Sequence, residues 1–282
     1  MSFLSKTFRY VNELGGSLTF TYDKGYLINK PDGIDTVSVA MTEAQGINQV
    51  GSTIQSANIQ SRPVNVSGRL VGEHQTQHKE QLLSVIRPDL TGRLYADDYY
   101  LEVRPTETPV IEPRAQLAAF SFSLLAPYPY WQRDEKAVMA LRGLQYRFKL
   151  PCNFSRPYRL AQYMESAFIN VQNHGQLPVP FRVTFHAVQP CRNPKIINAV
   201  TGQFLLINKE MVSGERIVVD ITHGRTTVTS SVDGDIRGAM SLQSRLNRLA
   251  VGENILKTVA DEGEIHLEAT VEYATEIVGV AL

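Results

Sequence analysis

Two histidines are spaced like metal ligands. His74 and His78 are four residues apart, and on a helix this spacing places both imidazoles on one face. The residues between them are Gln-Thr-Gln, so the glutamate that acts as general base in helical zinc hydrolases is missing. A solvated polar face is the favoured interpretation, and we predict no metal site.

Short carboxylate pairs are a second set of possible ligands. Asp97-Asp98 and Asp233-Gly-Asp235 could approach Ca²⁺, but neither is followed by the longer series of oxygen ligands of a calcium loop. We interpret both as turn residues. His186 lies on the polar face of an alternating stretch, which indicates an exposed or interface side chain.

Nucleophile motifs are missing from the sequence. It contains no Gly-x-Ser-x-Gly, no glycine-rich phosphate loop ahead of a helix and no Cys-x-x-Cys. Cys152 and Cys191 are too few for a disulfide framework, so we expect free buried thiols in a reducing compartment. We predict no catalytic residue and no cofactor, and therefore no enzyme.

Composition limits the class of protein further. The 282 residues include 28 Lys+Arg and 28 Asp+Glu, so the formal net charge is zero and no overall field attracts nucleic acid or an anionic membrane. No stretch reaches the about 20 apolar residues of a membrane helix. No apolar signal segment follows Met1, so we expect synthesis in a cytosol.

The first half of the chain alternates between short strand patterns and turns. A helix is predicted over about 73–87, where Leu82, Leu83 and Ile86 form an apolar patch and Pro88 ends the helix. A hairpin follows, turned by the aspartates at 97–98, and then an alternating strand over 118–125. We place a domain boundary after the aromatic stretch that ends at Trp131, which gives a first domain of residues 1–131.

The second half, residues 132–282, has almost purely β character. Two long alternating stretches, 179–187 and 265–273, are separated by shorter ones and by glycine turns. This pattern predicts a β-sandwich. Residues 132–165 carry no comparable pattern, so the start of this domain is left open within them.

The sequence resembles the distal tail proteins of long-tailed, non-contractile bacteriophages. The resemblance covers most of the chain and depends on the order and spacing of short pieces. In the first half these pieces are Phe20-Thr-Tyr22, Tyr26-Leu-Ile28, Gly33-Ile-Asp35, Arg62 to Gly68, Arg87-Pro88 with Gly92, and Phe120 to Leu124 before the aromatic stretch; in the second they are Asn173-His-Gly175, Pro194 to Asn198, Thr201-Gly-Gln203, Gly214 to Asp220 and Leu249 to Asn254.

The resemblance implies a structural protein without catalysis. It implies a mainly β fold, with an N-terminal tail-tube-like β-domain that carries one helix and builds a hexameric ring, and a C-terminal galectin-like β-sandwich that projects outward. The expected location is the virion tail tip, after synthesis in the host bacterial cytoplasm. The expected partners are further copies in the ring, the tail tube protein, a tail-tip protein and receptor-binding proteins, with a channel left for DNA.

Within this picture certain residues are expected to be structural. Tyr128, Tyr130 and Trp131 either fix the junction between the two domains or fill the core of the second sandwich. Two other functions stay open: a carbohydrate-binding module that uses Trp131 or the tyrosines, and a tail-associated hydrolase, for which no residues are nominated. The glycines expected at positive-φ or close-approach turns are Gly33, Gly68, Gly175, Gly202, Gly214 and Gly252.

Overall fold

A computed structural model of the chain describes residues 7–72, 75–112, 117–141, 144–146, 161–163, 168–222 and 224–280, with backbone only for 144–146 and 161–163. His74, Cys152 and most of 132–165 lie outside the described residues, so the predictions about them stay predictions. In chain order the strands are β1 (Phe8–Asn12), β2 (Ser17–Phe20), β3 (Tyr26–Ile28), β4 (Val39–Ala44), β5 (Thr53–Ile59), β6 (Arg62–Leu70), β7 (Gly92–Ala96), β8 (Tyr99–Pro105), β9 (Val110–Glu112), β10 (Ala119–Ala126), β11 (Trp131–Arg133), β12 (Ala137–Ala140), β13 (Leu144–Tyr146), β14 (Ala161–Tyr163), β15 (Ile169–Asn173), β16 (Phe181–Ala187), β17 (Cys191–Arg192), β18 (Lys195–Asn198), β19 (Phe204–Leu206), β20 (Glu210–Met211), β21 (Arg216–Thr222), β22 (Arg225–Ser230), β23 (Gly234–Asp235), β24 (Gly252–Val259), β25 (Leu267–Tyr273) and β26 (Glu276–Ile277).

The chain folds into two compact units. The first comprises Met1–Asp134 and Glu276–Leu282, and the second comprises Glu135–Thr275. Residues 276–282 thus belong to the first unit, whereas the sequence-based assignment placed all of 132–282 in the second domain. The physical reason is that β26 pairs with β11, with Trp131 opposite Ile277, and that Val280 is buried in the core of the first unit.

The first unit is built on an antiparallel sheet in the order β2-β1-β7-β8-β10-β6-β3, with β9, β11 and β26 attached. Along β6 every second residue is buried, because successive side chains point to opposite faces of a strand. The inward residues of β6 and β10 meet in one core that also contains Phe8, Tyr10 and Tyr26.

One α-helix, α1 (Gln75–Val85), packs on this core. The predicted helix was longer at its C-terminal end, since Ile86 and Arg87 lie beyond it. Leu82 and Ile86 are fully buried. Leu83, which was predicted to belong to the apolar patch, is 38% exposed, and Val85 is buried instead. Residues 82, 85 and 86 share one helical face because they are three and four positions apart, whereas residue 83 is turned about 100° away from residue 82.

The second unit is a β-sandwich, as predicted. One sheet has the order β12-β25-β16-β21-β22-β23 and the other the order β15-β24-β18-β19. Alternate residues of β16 and β25 point inward, and they meet Ile196 and Leu256 of the facing sheet in a single apolar core. The predicted mainly β fold class is therefore confirmed.

Candidate assembly interface

A two-stranded sheet formed by β4 and β5 has unusual exposure. In the described residues these strands pair only with each other, and all their residues except Ala44 are exposed. A lone two-stranded hairpin is marginally stable in water, and this one exposes large apolar side chains such as Met41 (55%) and Ile54 (56%). Unsatisfied strand edges and exposed apolar groups are both features of a surface that another chain covers.

The register gives the hairpin two chemically different faces. A bulge lies between Thr42 and Glu43, and it places Ile54 opposite Glu43. Without the bulge, Glu43 would lie opposite Gln55 and Ile54 opposite Ala44 on the other face, because side chains alternate along a strand. One face therefore carries Val39, Met41, Glu43, Ile54, Ala57 and Ile59, and the other carries the small residues Ala40, Thr42, Ala44, Thr53, Ser56 and Asn58.

The hairpin tip holds two aliphatic side chains in an ordered turn. Ile47 and Val50 are fully exposed. The Gln49 side chain closes the turn between them: its Oε1 accepts from the Gly46 N–H at 2.9 Å, and its Nε2 donates to Thr53 Oγ1 at 3.0 Å. The tip is thus held by hydrogen bonds while its apolar side chains lack protein neighbours.

The predicted aromatic residues lie within the first unit. Trp131 is completely buried in the core of that unit, and its Nε1 donates to the Ile34 carbonyl at 3.0 Å. The expectation that it fills the core of the second sandwich is wrong for this residue, and a fully buried indole offers no platform for a sugar ring. Tyr128 and Tyr130 contact each other edge to face, and the Tyr128 hydroxyl donates to Glu276 at 2.6 Å.

Two of the predicted glycines are required by close contacts. A Cβ on Gly33, at φ +84°, would lie 2.1 Å from the Pro63 carbonyl oxygen, and a Cβ on Gly68 would lie 2.5 Å from that of Leu27. Neither backbone carbonyl can retreat without breaking the sheet, so both positions exclude a side chain. Of the other predicted glycines, positive φ angles occur at Gly202, Gly214 and Gly252, and the Gly175 N–H donates to Asn173 Oδ1 at 2.9 Å.

The predicted turn and polar residues have local partners. Asp97 has a φ of +52° in the tight turn between β7 and β8, and Asp235 accepts from the Arg237 N–H at 3.0 Å. His78 contacts Tyr26 edge to face, with ring centroids 5.3 Å apart, and His186 lies 3.3 Å from Glu268. In the part of the chain that the structure describes, no group of three His, Cys, Asp or Glu side chains could hold a metal ion.

An open groove of about 680 Å³ lies in the first unit beside β1, β7 and β8. Its charged side chains already have partners: Thr91 donates to Glu13, Arg93 is 3.4 Å from Glu102, and Arg104 donates to the Pro88 carbonyl at 3.1 Å. We therefore assign no ligand to it. Among the described residues, no helix has the length and apolar character needed to cross a bilayer.

A model of a known protein family matches much of the second unit. Residues 174–276 match the family model of the siphovirus-type tail component, C-terminal domain. The resemblance to siphophage distal tail proteins is confirmed. None of the curated proteins compared matches the sequence.

One solved structure has the same fold over nearly the whole chain. The Dit protein (gp 19.1) of phage SPP1 superposes with a TM-score of 0.70 at 12% identity, and the match covers 95% of this chain and 98% of that one. Its structure is described as a paradigm of the hub adsorption apparatus in phages that infect Gram-positive bacteria. Chains of the phage P2 baseplate in its activated conformation with Ca, and of the phage p2 baseplate with Sr, match at 9% identity over 98% of this chain, with TM-scores of 0.48 and 0.47.

The hairpin is the feature that the sequence analysis missed. Strands are predicted at 37–41 and 56–71 with a polar loop between them, but alternation does not show whether a face is covered. A usable signal was present, since Glu43 is the only charged residue between positions 36 and 61. A segment of that length on a protein surface usually carries several charges.

Proposed function

We propose that this protein is a structural component of a siphophage tail tip, and that six copies form a ring that joins the tail tube to the tip proteins. The match of residues 174–276 to a siphovirus-type tail component supports a location in the phage tail. The fold shared with SPP1 Dit supports a role as a hub protein. The protein acts by assembly, without catalysis.

The exposed hairpin is the observation that carries the ring proposal. A subunit of a closed ring needs two different surfaces that recognise each other from one copy to the next. The hairpin offers an apolar face and two unpaired strand edges. Each copy of the protein therefore carries both kinds of surface. In the ring, Met41, Ile54 and their neighbours pack on the adjacent copy, which removes their apolar surface from water.

The opposite face of the hairpin suits a channel for DNA. Its side chains are small and uncharged, from Ala40 to Asn58. Cationic side chains there would bind phosphate and retard the passage of DNA, because phosphate contacts dominate affinity for nucleic acid. In this arrangement the second unit provides the attachment site for tip and receptor-binding proteins, and the expected location is the virion tail tip.

The test is the mass and shape of the purified protein. Light scattering with negative-stain imaging is expected to give about six copies of 31.5 kDa around a central hole. If the protein is monomeric at every concentration, the same measurement is repeated with the tail tube protein added. A monomer under both conditions overturns the ring.

A further inference from the structure

The two sheets of the second unit present outer faces of different chemistry. On the six-stranded sheet some of the outward charges are paired across strands. Arg182 Nε donates to Asp220 at 2.9 Å and its Nη1 lies 3.9 Å from Glu272, while His186 faces Glu268. This is the polar surface expected of an antiparallel sheet that faces water.

The four-stranded sheet is different. Its inward residues, such as Ile196 and Leu256, belong to the core, so their neighbours in sequence point outward. Cross-strand pairing places Ile197 between Lys257 and Phe204, and Lys195 between Val259 and Leu206. We call part of this surface the basic-apolar face; it comprises Lys195, Ile197, Phe204, Leu206, Ile255, Lys257 and Val259, all partly exposed. Glu253 lies on the same side of β24 but at its other end, where it accepts from Asn170 of β15 at 3.2 Å.

The two lysines on this face have aromatic contacts but, within the described part of the chain, no counter-ion. Lys195 Nζ lies 4.2 Å from the centre of the Phe204 ring, and Lys257 Nζ lies 5.6 Å from that of Phe168, which is 60% exposed. Among the described residues neither ammonium group forms an ion pair. On the six-stranded sheet, by contrast, Arg182 has two carboxylates, Asp220 and Glu272, within 4 Å.

We propose that the basic-apolar face is the docking surface for a protein segment that presents carboxylates between apolar side chains. The apolar residues favour an apolar partner because contact removes both surfaces from water. The two ammonium groups select the sign of the partner's charge, since a like charge placed opposite them is repelled. A nucleic acid would satisfy the lysines but leave the aliphatic residues uncovered. Docking here does not require the ring, so a monomeric result in the ring assay leaves this proposal standing.

The experiment uses two labelled synthetic peptides with the same alternating apolar residues, one with glutamate and one with lysine at the intervening positions. Fluorescence anisotropy measures their binding to the full-length protein and to a Lys195→Glu/Lys257→Glu variant. We expect the wild type to bind the acidic peptide at least about tenfold more tightly than the basic one, and we expect the variant to reverse that preference. The control is Lys136→Glu/Arg237→Glu, which makes the same change in net charge at exposed positions of the same unit.

Several outcomes would overturn the proposal. Failure of the acidic peptide to bind wild type up to about 1 mM would do so, as would equal binding to wild type and the charge-reversed variant. Anionic lipid vesicles that bind wild type but not the variant would identify a membrane as the occupant. Self-association lost in the variant would identify a second copy. Far-UV circular dichroism and the melting temperature establish that each variant is folded before binding is measured.

Discussion

At the scale of single residues, one buried cation organises the first unit. Arg62 lies on the inward face of β6 and is 1% exposed. Its Nη1 donates to the Ile34 carbonyl at 2.8 Å and its Nη2 to the Val278 carbonyl. Burial lowers the pKa of Arg62 to about 10 despite the nearby Asp35 and Tyr130. The guanidinium therefore joins segments more than 200 positions apart in sequence.

Replacing Arg62 with leucine is expected to destabilise the first unit by about 2 kcal/mol, because the buried hydrogen bond to the Ile34 carbonyl and the one to the Val278 carbonyl are both lost. Urea unfolding followed by tryptophan fluorescence reports this unit, since Trp131 is the single tryptophan and lies in its core. The matched control is Arg69→Leu, an exposed position on the same strand. Equal unfolding midpoints for the two variants would contradict the assigned role.

A buried carboxylate has a similar role in the second unit. The Glu215 side chain is 0% exposed and lies 2.7 Å from Lys209 Nζ. It also accepts from Ser230 Oγ at 2.5 Å and from the Val212 N–H at 3.0 Å. Burial alone would raise the pKa of Glu215, but the donors outweigh it and hold the pKa below its ordinary value. Ionised Glu215 therefore stabilises the fold above the pKa it has when unfolded, about 4.3, and this contribution is lost as pH falls through the lower folded value.

Lys209→Met is expected to cost about 3 kcal/mol at pH 7, because Glu215 would be left buried and charged without its counter-ion. Burial would then raise the pKa of Glu215, so the carboxyl would be protonated near pH 4 and the cost would shrink there. Urea unfolding followed by far-UV circular dichroism at both pH values measures the difference, with the exposed Lys136→Met as the control. A cost that does not change with pH would show that Lys209 acts through packing alone.

At the scale of elements, alternation along the chain predicted several of the longer strands, because the buried residues of a half-buried strand recur at every second position. The same rule predicted the inward residues Phe120 and Phe122 of β10. The rule failed where burial or a hydrogen bond depends on contacts between residues far apart in sequence. Leu83 is apolar but exposed, and the partner of the Trp131 indole is a carbonyl 97 positions away. No local pattern encodes such contacts.

The hairpin faces give a matched pair of substitutions. Met41→Glu places a charge on the apolar face, whereas Thr42→Glu places the same charge one residue away on the small polar face. If the apolar face packs on a neighbouring copy, Met41→Glu should abolish the ring, because a carboxylate would be buried without a partner. Thr42→Glu should leave the ring intact. Light scattering measures both, and tryptophan fluorescence checks the fold; equal effects of the two variants would contradict the assignment of faces.

At the scale of the whole molecule, the chain leaves the first unit and comes back to it. Gln132 of β11 pairs with Glu276 of β26, so the two crossing points lie side by side in one antiparallel ladder. Glu276 is buried and Val280 lies in the core. The first unit therefore needs the last residues of the chain for its completion, and the second unit is inserted between two paired strands.

This connectivity predicts that the first unit folds without the second. Joining Arg133 to Thr275 through Asn-Gly would close β11 and β26 into a tight hairpin, because a two-residue turn of this type fits the twist of antiparallel strands. We expect this protein to show a buried Trp131 and one cooperative urea transition. A chain that stops at Asp134 lacks β26, the Val278 carbonyl that accepts from Arg62 and the Val280 side chain. It should unfold at a clearly lower urea concentration, and equal midpoints for the two proteins would mean that the returning segment adds nothing to the stability of this unit.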